Sequence, residues 1–482
     1  MTRLARDLRF TLKQARRSAG ISITAIVTLA IGIGAATTMF AIVESVLLRP
    51  LPFPHPQQLV LLGDHVAGTA SSLVPAVPAP EIHPYIQDTH SFQGVGAYGF
   101  TSFDLSGIGA PTRIMASRMS PATFAVLGIQ PLFGRTFTRE EDSIHAPVTV
   151  LSFQLWQSRF WGDPDVLGKT ILLDRRPYQV IGVMPSNFAF PVVAGSMNQA
   201  QLWVPLSLSN DELRSGVATW SFYLVGRLKP HKSRLQAQAD AGHVAKEIMR
   251  GYPGFMATLH IDAVVSPLHD ASVVSARPLL NILWSASLVI LILACVNVAG
   301  LLLVRAMKRR RDVAVQLALG ADRRDLLRQS ILEGVFLSAT GGAVGIAAAR
   351  LFLHALVAIL PDSLPRANEI RFDWLVASIA LVLTIFTGFA CSLAPAFAGF
   401  RSSVNEGLRE AGSASTGSGG HARIRAGLVV AEIAMTLVLI SSSFLLLRSF
   451  QKALNVSLGF NPQNVAVGEY FLPKDAYSSQ AA

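Results

Sequence analysis

Two patterns in this sequence have residue types that could do chemistry, and each fails a spacing test. The run GDPDVLGKT, Gly162 to Thr170, has the look of a phosphate-cradling loop. Such a loop needs four residues between its first glycine and its Gly-Lys pair, so that backbone N–H groups can crowd around the phosphate. Asp163 holds that place and Gly162 falls one position early. A carboxylate there repels phosphate, and a turn rich in Gly and Pro accounts for the run. Nine of the 11 histidines (55, 65, 83, 90, 145, 231, 243, 260 and 269) fall between residues 50 and 277. None has the H-x-H, H-x-x-x-H or H-E-x-x-H spacing that would bring two imidazoles to one metal. No G-x-S-x-G elbow presents a nucleophilic serine. These patterns predict no catalytic constellation, no resident metal and no nucleotide bound by this chain.

The most informative stretch is basic and helical rather than catalytic. Arg305 to Glu333 (RAMKRRRDVAVQLALGADRRDLLRQSILE) holds eight Lys/Arg against Asp312, Asp322 and Asp325. It joins two long apolar runs, and a basic loop between apolar runs marks the cytoplasmic side of a membrane. Asp312 to Leu319 reads as a helix ended by Gly320, with Asp322 placed to cap the next one. The result is an ordered helical elbow at the membrane surface, suited to receive a push from a cytoplasmic partner. The plainer alternative is a solvated loop that only sets topology.

The elements that must position this elbow are membrane spans. The chain of 482 residues is 51% hydrophobic and 15% charged, with mean hydropathy +0.43. Five segments reach the roughly 20 apolar residues a span needs: Ile21–Val43, Leu279–Val304, Ile331–Leu360, Trp374–Phe397 and Ala426–Leu447. The basic N-terminus, the 305–328 loop and the 401–425 segment all fall on one side if the N-terminus is cytoplasmic. The region 49–277 is then outside. The net charge of +11 sits largely at cytoplasmic span ends, where anionic membrane lipids account for it; nucleic acid is not an expected partner. The apolar run near the N-terminus is too long for a signal-peptide core and reads as an uncleaved anchor. Both cysteines, Cys295 and Cys391, fall inside spans, so the outer region must fold on its own core without disulfides.

Between residues 50 and 277 the pattern changes to short β-like runs and helical stretches. Val148–Leu151, Thr170–Leu173, Tyr178–Val183 and Phe222–Val225 read as strands, and Pro121–Leu127 and Leu235–Met249 as helices. Asp174 to Pro177 reads as a turn between two of the strands. The fold class is therefore a membrane protein: an α-helical transmembrane bundle with a large α+β extracytoplasmic domain inserted between spans 1 and 2. In the third span, Gly341 and Gly345 are four apart and share one helix face, where small residues let another helix approach; the alternative is a lipid-facing stretch. Glu333, near the start of that span, faces either a bundle interior or the membrane interface, and its position near the span end favours the interface. Ala411 to Gly420 (AGSASTGSGG) reads as a flexible linker. From about His421, a basic start, a span and a polar exit repeat the logic of residues 1–60. The second half stops early, as in a fragment or a truncated gene.

Several of these segments resemble the permeases of the MacB/FtsX type. AIGIGAATTMFAIVESVLLRPLPFPHPQQLV is similar to their opening. VTVLSFQLWQSRFWGDPDVLGKTILLDRRPYQVIGVMP, with LWVPL and FYLVGRLKP, resembles the MacB-type extracytoplasmic core domain. NVAGLLLVRAMKRRRDVAVQLALGADRRDLLRQSILEG resembles the start of the FtsX-like permease domain, and AEIAMTLVLISSSFLLLRSF the first span of a second half. The duplicated orphan permeases, the ADOP group, show the nearest likeness.

The resemblance implies a domain order. A cytoplasmic N-terminus (1–20) and span 1 (21–48) lead to the outer domain (49–277). The permease domain (279–400) follows with its coupling loop (305–328). A linker (401–425), span 5 (426–449) and the start of a truncated second outer domain (450–482) complete the chain. It also implies a subunit that transmits force from a separate cytoplasmic ABC ATPase, which binds the ATP, to the outer domain in export or efflux. Arg310, Arg311, Asp312, Ala318, Gly320 and Ala321 would form the coupling site, and a homodimer or a second permease half would complete the assembly. Two other roles stay open: an FtsX-like scaffold regulating an envelope partner enzyme, and a remnant of a duplicated gene. The sequence departs from the family at Asp312, where Glu is usual, and at Asp174-Arg175, where Asp-Gly is common. It also lacks the second outer domain and three further spans of the duplicated group.

Overall fold

In a bilayer a backbone has only itself to hydrogen-bond, so long apolar runs become helices. Among the described residues of the computed structural model there are five such helices: Ala19–Leu48, Ala276–Met307, Leu327–Leu356, Trp374–Leu393 and Ala426–Lys452, called spans 1 to 5. The structure describes residues 16, 18–66, 74–193, 196–197, 200–214, 220–252, 261–308, 323–359, 371–401 and 419–455. The chain divides into two compact units, one holding the spans and one centred on Arg49–Pro278.

Ala25, Leu29 and Ile33 of span 1, Leu291 and Val298 of span 2, Leu337 of span 3 and Cys391 of span 4 form one buried apolar cluster. The helix of span 3 runs unbroken over Arg323–Ile359. At 1.5 Å per residue it is longer than the ~30 Å hydrocarbon layer, and its charged first turn extends beyond the apolar window. None of span 5's apolar window is buried, against 50% for span 1. The helix carrying span 5 begins at Gly419, so the last two residues of the expected linker are helical. Once an apolar helix exists, adding a residue costs little.

The other unit is built on a ten-stranded sheet in the order β12-β1-β11-β2-β3-β10-β5-β7-β4, with β6 pairing β2 and β7. Its strands are β1 (Leu59–Val66), β2 (Phe92–Ser106), β3 (Thr112–Met119), β4 (Phe133–Gly134), β5 (Val148–Leu151), β6 (Thr170–Leu173) and β7 (Arg176–Val183). A separate two-stranded ribbon, β8 (Val192–Val193) and β9 (Ser196–Met197), precedes β10 (Leu202–Pro205), β11 (Phe222–Leu228) and β12 (Ile261–Pro267). Pairing is antiparallel except at β3–β10 and β5–β7. β1 shows why the run LVLL is apolar without alternation: Leu59 and Leu61 enter one core, Val60 and Leu62 the core on the opposite face.

Helices cover both faces. α1 (Ile82–Asp88) and α3 (Arg234–Arg250) pack Ile82, Tyr85, Ala237, Ala241 and Val244 onto one core. α2 (Pro121–Leu127) packs Phe124 and Leu127 onto the other. Local chemistry sets their ends. Pro121 opens α2 and Gly128, at φ +70°, closes it. Ser233 and Gln236 form a reciprocal capping box at the start of α3. The turn between β6 and β7 is only Asp174-Arg175, at φ +48° and +66°, and Arg176 and Pro177 already belong to β7. Two left-handed residues fit the twist of a two-residue hairpin. Asp174 steadies it by accepting the N–H of Asp104 at 2.8 Å.

Candidate functional site at the ends of spans 2 and 3

Arg310, Arg311, Asp312, Ala318, Gly320 and Ala321 lie in segment 309–322, outside the described residues. The two ends of that segment are described, and they meet. Arg305, near the end of span 2, places Nη1 2.5 Å from Oε1 of Glu333 in span 3. Their side chains are 6% and 15% exposed, so this ion pair is held inside the bundle. Of the two surroundings open to Glu333, its side chain takes the bundle interior. Antiparallel spans joined by a short loop bring the last residues of one beside the first of the next. There the Arg305 guanidinium offsets the cost of turning a carboxylate inward. Arg305 was legible as a basic residue at a span end, but its partnership was not. The usable signal is that each is a charged residue at the loop-proximal edge of an apolar run.

Above this pair, span 3 is packed through glycines. A Cβ on Gly341 would sit 2.9 Å from Leu29 Cβ and 3.0 Å from the Ile26 carbonyl of span 1. A Cβ on Gly345 would sit 2.6 Å from the Ala30 carbonyl and 3.1 Å from the Gly34 nitrogen. Gly34 returns the contact, its own Cβ position lying 3.0 Å from the Gly345 carbonyl. A second small-residue row, Gly334, Ser338 and Gly342, faces Gly388, Ser392 and Thr384 of span 4. Sequence reasoning missed this row, although its spacing of four repeats the pattern at Gly341 and Gly345. Span 3 thus contacts spans 1 and 4 at backbone distance on two faces, and the ion pair ties it to span 2.

In the other unit, the phosphate-loop-like run is a salt-bridged turn. Lys169 Nζ lies 2.5 Å from Asp163 Oδ2, and the chain continues into strand β6 where a phosphate site would have a helix N-terminus. Lys169 beside it holds the Asp163 carboxyl below its usual range. The turn borders an open cleft of ≈ 440 Å³ that also includes Arg159 and the exposed Trp161. Among the described residues, no three His, Cys, Asp or Glu side chains gather as a metal-binding group.

A buried polar network in this unit was not legible in sequence. Asp64 of β1 accepts from Tyr85 Oη at 2.7 Å and Trp220 Nε1 at 3.1 Å. Glu81 accepts from Tyr252 Oη at 2.8 Å and hydrogen-bonds to Asp64. Burial, the neighbouring Asp64 charge and that hydrogen bond push the Glu81 carboxyl up to about 9. The folded domain keeps a proton there that the unfolded chain releases near pH 4.5. Stability should therefore be highest below about pH 5, fall as pH rises toward 9 and level off above it. For one proton the slope is at most about 1.4 kcal/mol per pH unit. Urea unfolding of a soluble 50–277 fragment between pH 5 and 9 checks this. The Glu81→Gln variant, a neutral donor of the same shape, should flatten the profile; an already flat profile in the unchanged fragment would refute the assignment.

Family models match the chain in two consecutive blocks. The MacB-like periplasmic core domain matches residues 22–244, and the FtsX-like permease C-terminal matches residues 284–404. The macrolide export ATP-binding/permease protein MacB of Salmonella typhi is 25% identical over 283 residues, 59% of this chain and 41% of that protein. The protein of the same name from Escherichia coli K12 is 26% identical over 281 residues, 58% of this chain and 41% of its own length. The match thus spans about two fifths of these curated relatives. The crystal structure of the periplasmic region of MacB from Actinobacillus actinomycetemcomitans aligns with 47% of this chain and 94% of its own, at 14% identity and a TM-score of 0.33. A periplasmic core domain between the first two of five spans, followed by an FtsX-like region, makes this chain a multi-pass inner-membrane protein with an extracytoplasmic domain, a permease of the MacB/FtsX type.

Proposed function

We propose that this chain is the permease subunit of an ABC-type mechanotransmission system serving export or efflux. A separate cytoplasmic ABC ATPase binds and hydrolyses ATP, docks at Arg310, Arg311, Asp312, Ala318, Gly320 and Ala321, and moves spans 2 and 3. The Arg305–Glu333 pair carries this reading. It closes the base of the basic loop, so that a push on the loop is delivered to both spans together. Span 3 hands the motion to span 1 through Gly341 and Gly345. Spans 1 and 2 are the two covalent tethers of the extracytoplasmic domain. Span 5, whose apolar window is uncovered, is read as the opening of a second permease half, as in the duplicated orphan group. A homodimer, bilayer lipid and an envelope partner are the other surfaces this assembly would meet.

Purification of the intact chain from native membranes, followed by assay for a co-purifying ABC ATPase, tests the reading. ATP-dependent release of cargo on the outer side separates a transporter from a scaffold that regulates an envelope enzyme. Within the reconstituted complex, Gly320→Val should reduce ATPase stimulation by about fivefold or more, the range of ordinary coupling energies, with topology unchanged. The sequence expectation behind this is a glycine C-cap at Gly320, a place that valine does not fill. Neutralising Arg310 and Arg311 should weaken docking at ~0.1 M salt and matter less at ~1 M, where screening shortens to about 3 Å. Full stimulation with Gly320→Val would rule out a coupling elbow.

A further inference from the structure

The chain has two cysteines. Cys295 of span 2 and Cys391 of span 4 are 96 residues apart, yet Cys391 Sγ lies 3.6 Å from the Cys295 carbonyl oxygen. Cys391 is fully buried among Leu291, Val298 and Leu337, and Cys295 is only partly covered. The uncovered part of span 2 nearby is aliphatic, with Ile292 51% exposed, so this flank is a lipid-facing surface. We propose that Cys295 and Cys391 are a redox-sensitive pair, closed to a disulfide by a bilayer-soluble two-electron oxidant of the quinone class, which cross-links span 2 to span 4.

The chemistry balances with the oxidant named. One S–H bond breaks at each cysteine and one S–S bond forms. The two electrons and two protons convert the quinone to its hydroquinone. With Cys391 Sγ already 3.6 Å from the Cys295 backbone, closure requires an S–S distance of ~2.05 Å and a Cβ–Cβ separation near 3.8 Å. Water-soluble charged oxidants are disfavoured because their charge does not enter an apolar flank cheaply. Oxidation would join spans 2 and 4 covalently and would remove their freedom to slide.

The test uses the full chain in liposomes. Samples are incubated with or without decylubiquinone, a fully substituted quinone that does not add to thiols, then denatured in SDS and labelled with maleimide-polyethylene glycol. The untreated chain should take two adducts and the quinone-treated chain none, and dithiothreitol should restore both. Cys295→Ser and Cys391→Ser should each keep their single adduct through the same treatment. Two adducts persisting after quinone would overturn the proposal. So would a loss that dithiothreitol does not reverse, loss of the single adduct in either variant, or disulfide-linked dimers on a non-reducing gel in place of a link within one chain.

Discussion

Glu333→Ala should cost the span bundle about 3–5 kcal/mol, because it removes the carboxylate facing a buried Arg305 guanidinium. Arg305→Ala should cost a similar amount by stranding the opposite charge. Reversing the pair, Arg305→Glu with Glu333→Arg, should recover much of the loss. Replacing both residues with methionine should be nearly neutral in stability, since well-packed apolar groups often substitute for a buried pair. Reversible unfolding in mixed detergent micelles gives these numbers. A cost below about 0.5 kcal/mol for Glu333→Ala would match a solvated surface pair and would contradict the burial of these groups. The double methionine variant also separates structure from coupling. If the pair transmits the motion of the loop, that variant should be stable yet poorly stimulated by the ATPase; full stimulation would leave the pair a structural role only.

What the sequence reveals and what it hides both have physical causes. β5, β6 and α2 were readable residue for residue. The first two are aliphatic runs with no competing pattern, and α2 carries Pro at its start and Gly at its end. The longest strand, β2, was not readable. It contains Gly94, Gly96 and Gly99, which depress strand propensity. Their reason is tertiary: a Cβ on Gly96 would sit 2.5 Å from Thr123 Cα in α2, and one on Gly99 3.0 Å from the Phe222 ring of β11. The glycines admit the neighbours that bury the strand. The spans were legible because hydrocarbon imposes one solution on a long apolar run. Contacts between spans were less so. Arg305 and Glu333 become neighbours only when successive spans pack side by side, and Cys295 and Cys391 only when spans 2 and 4 do. Gly341 and Gly345 drew notice through their spacing, but spacing alone does not name the helix they face.

That face supplies the second large effect. Gly345→Leu should separate spans 1 and 3, because even its Cβ would fall 2.6 Å from the Ala30 carbonyl, a backbone atom that has no rotamer in which to retreat. Overpacking a close-fitted site typically costs about 1–3 kcal/mol, and Gly341→Leu, which meets the Ile26 carbonyl at 3.0 Å, should add to it. The double variant is expected to lose on the order of 3 kcal/mol or more, with the bundle loosened and not unfolded span by span. Gly300→Leu in span 2 is the control, since nothing lies within 4 Å of its Cβ position. That change should be harmless or slightly stabilising, because leucine favours a helix by up to about 1 kcal/mol over glycine. Unfolding midpoints in detergent would report the separation. The alternative, a glycine-rich stretch facing lipid, predicts that Gly345→Leu behaves like Gly300→Leu. Equal midpoints for those two variants would therefore remove span 1 from the path by which span 3 is proposed to move the outer domain.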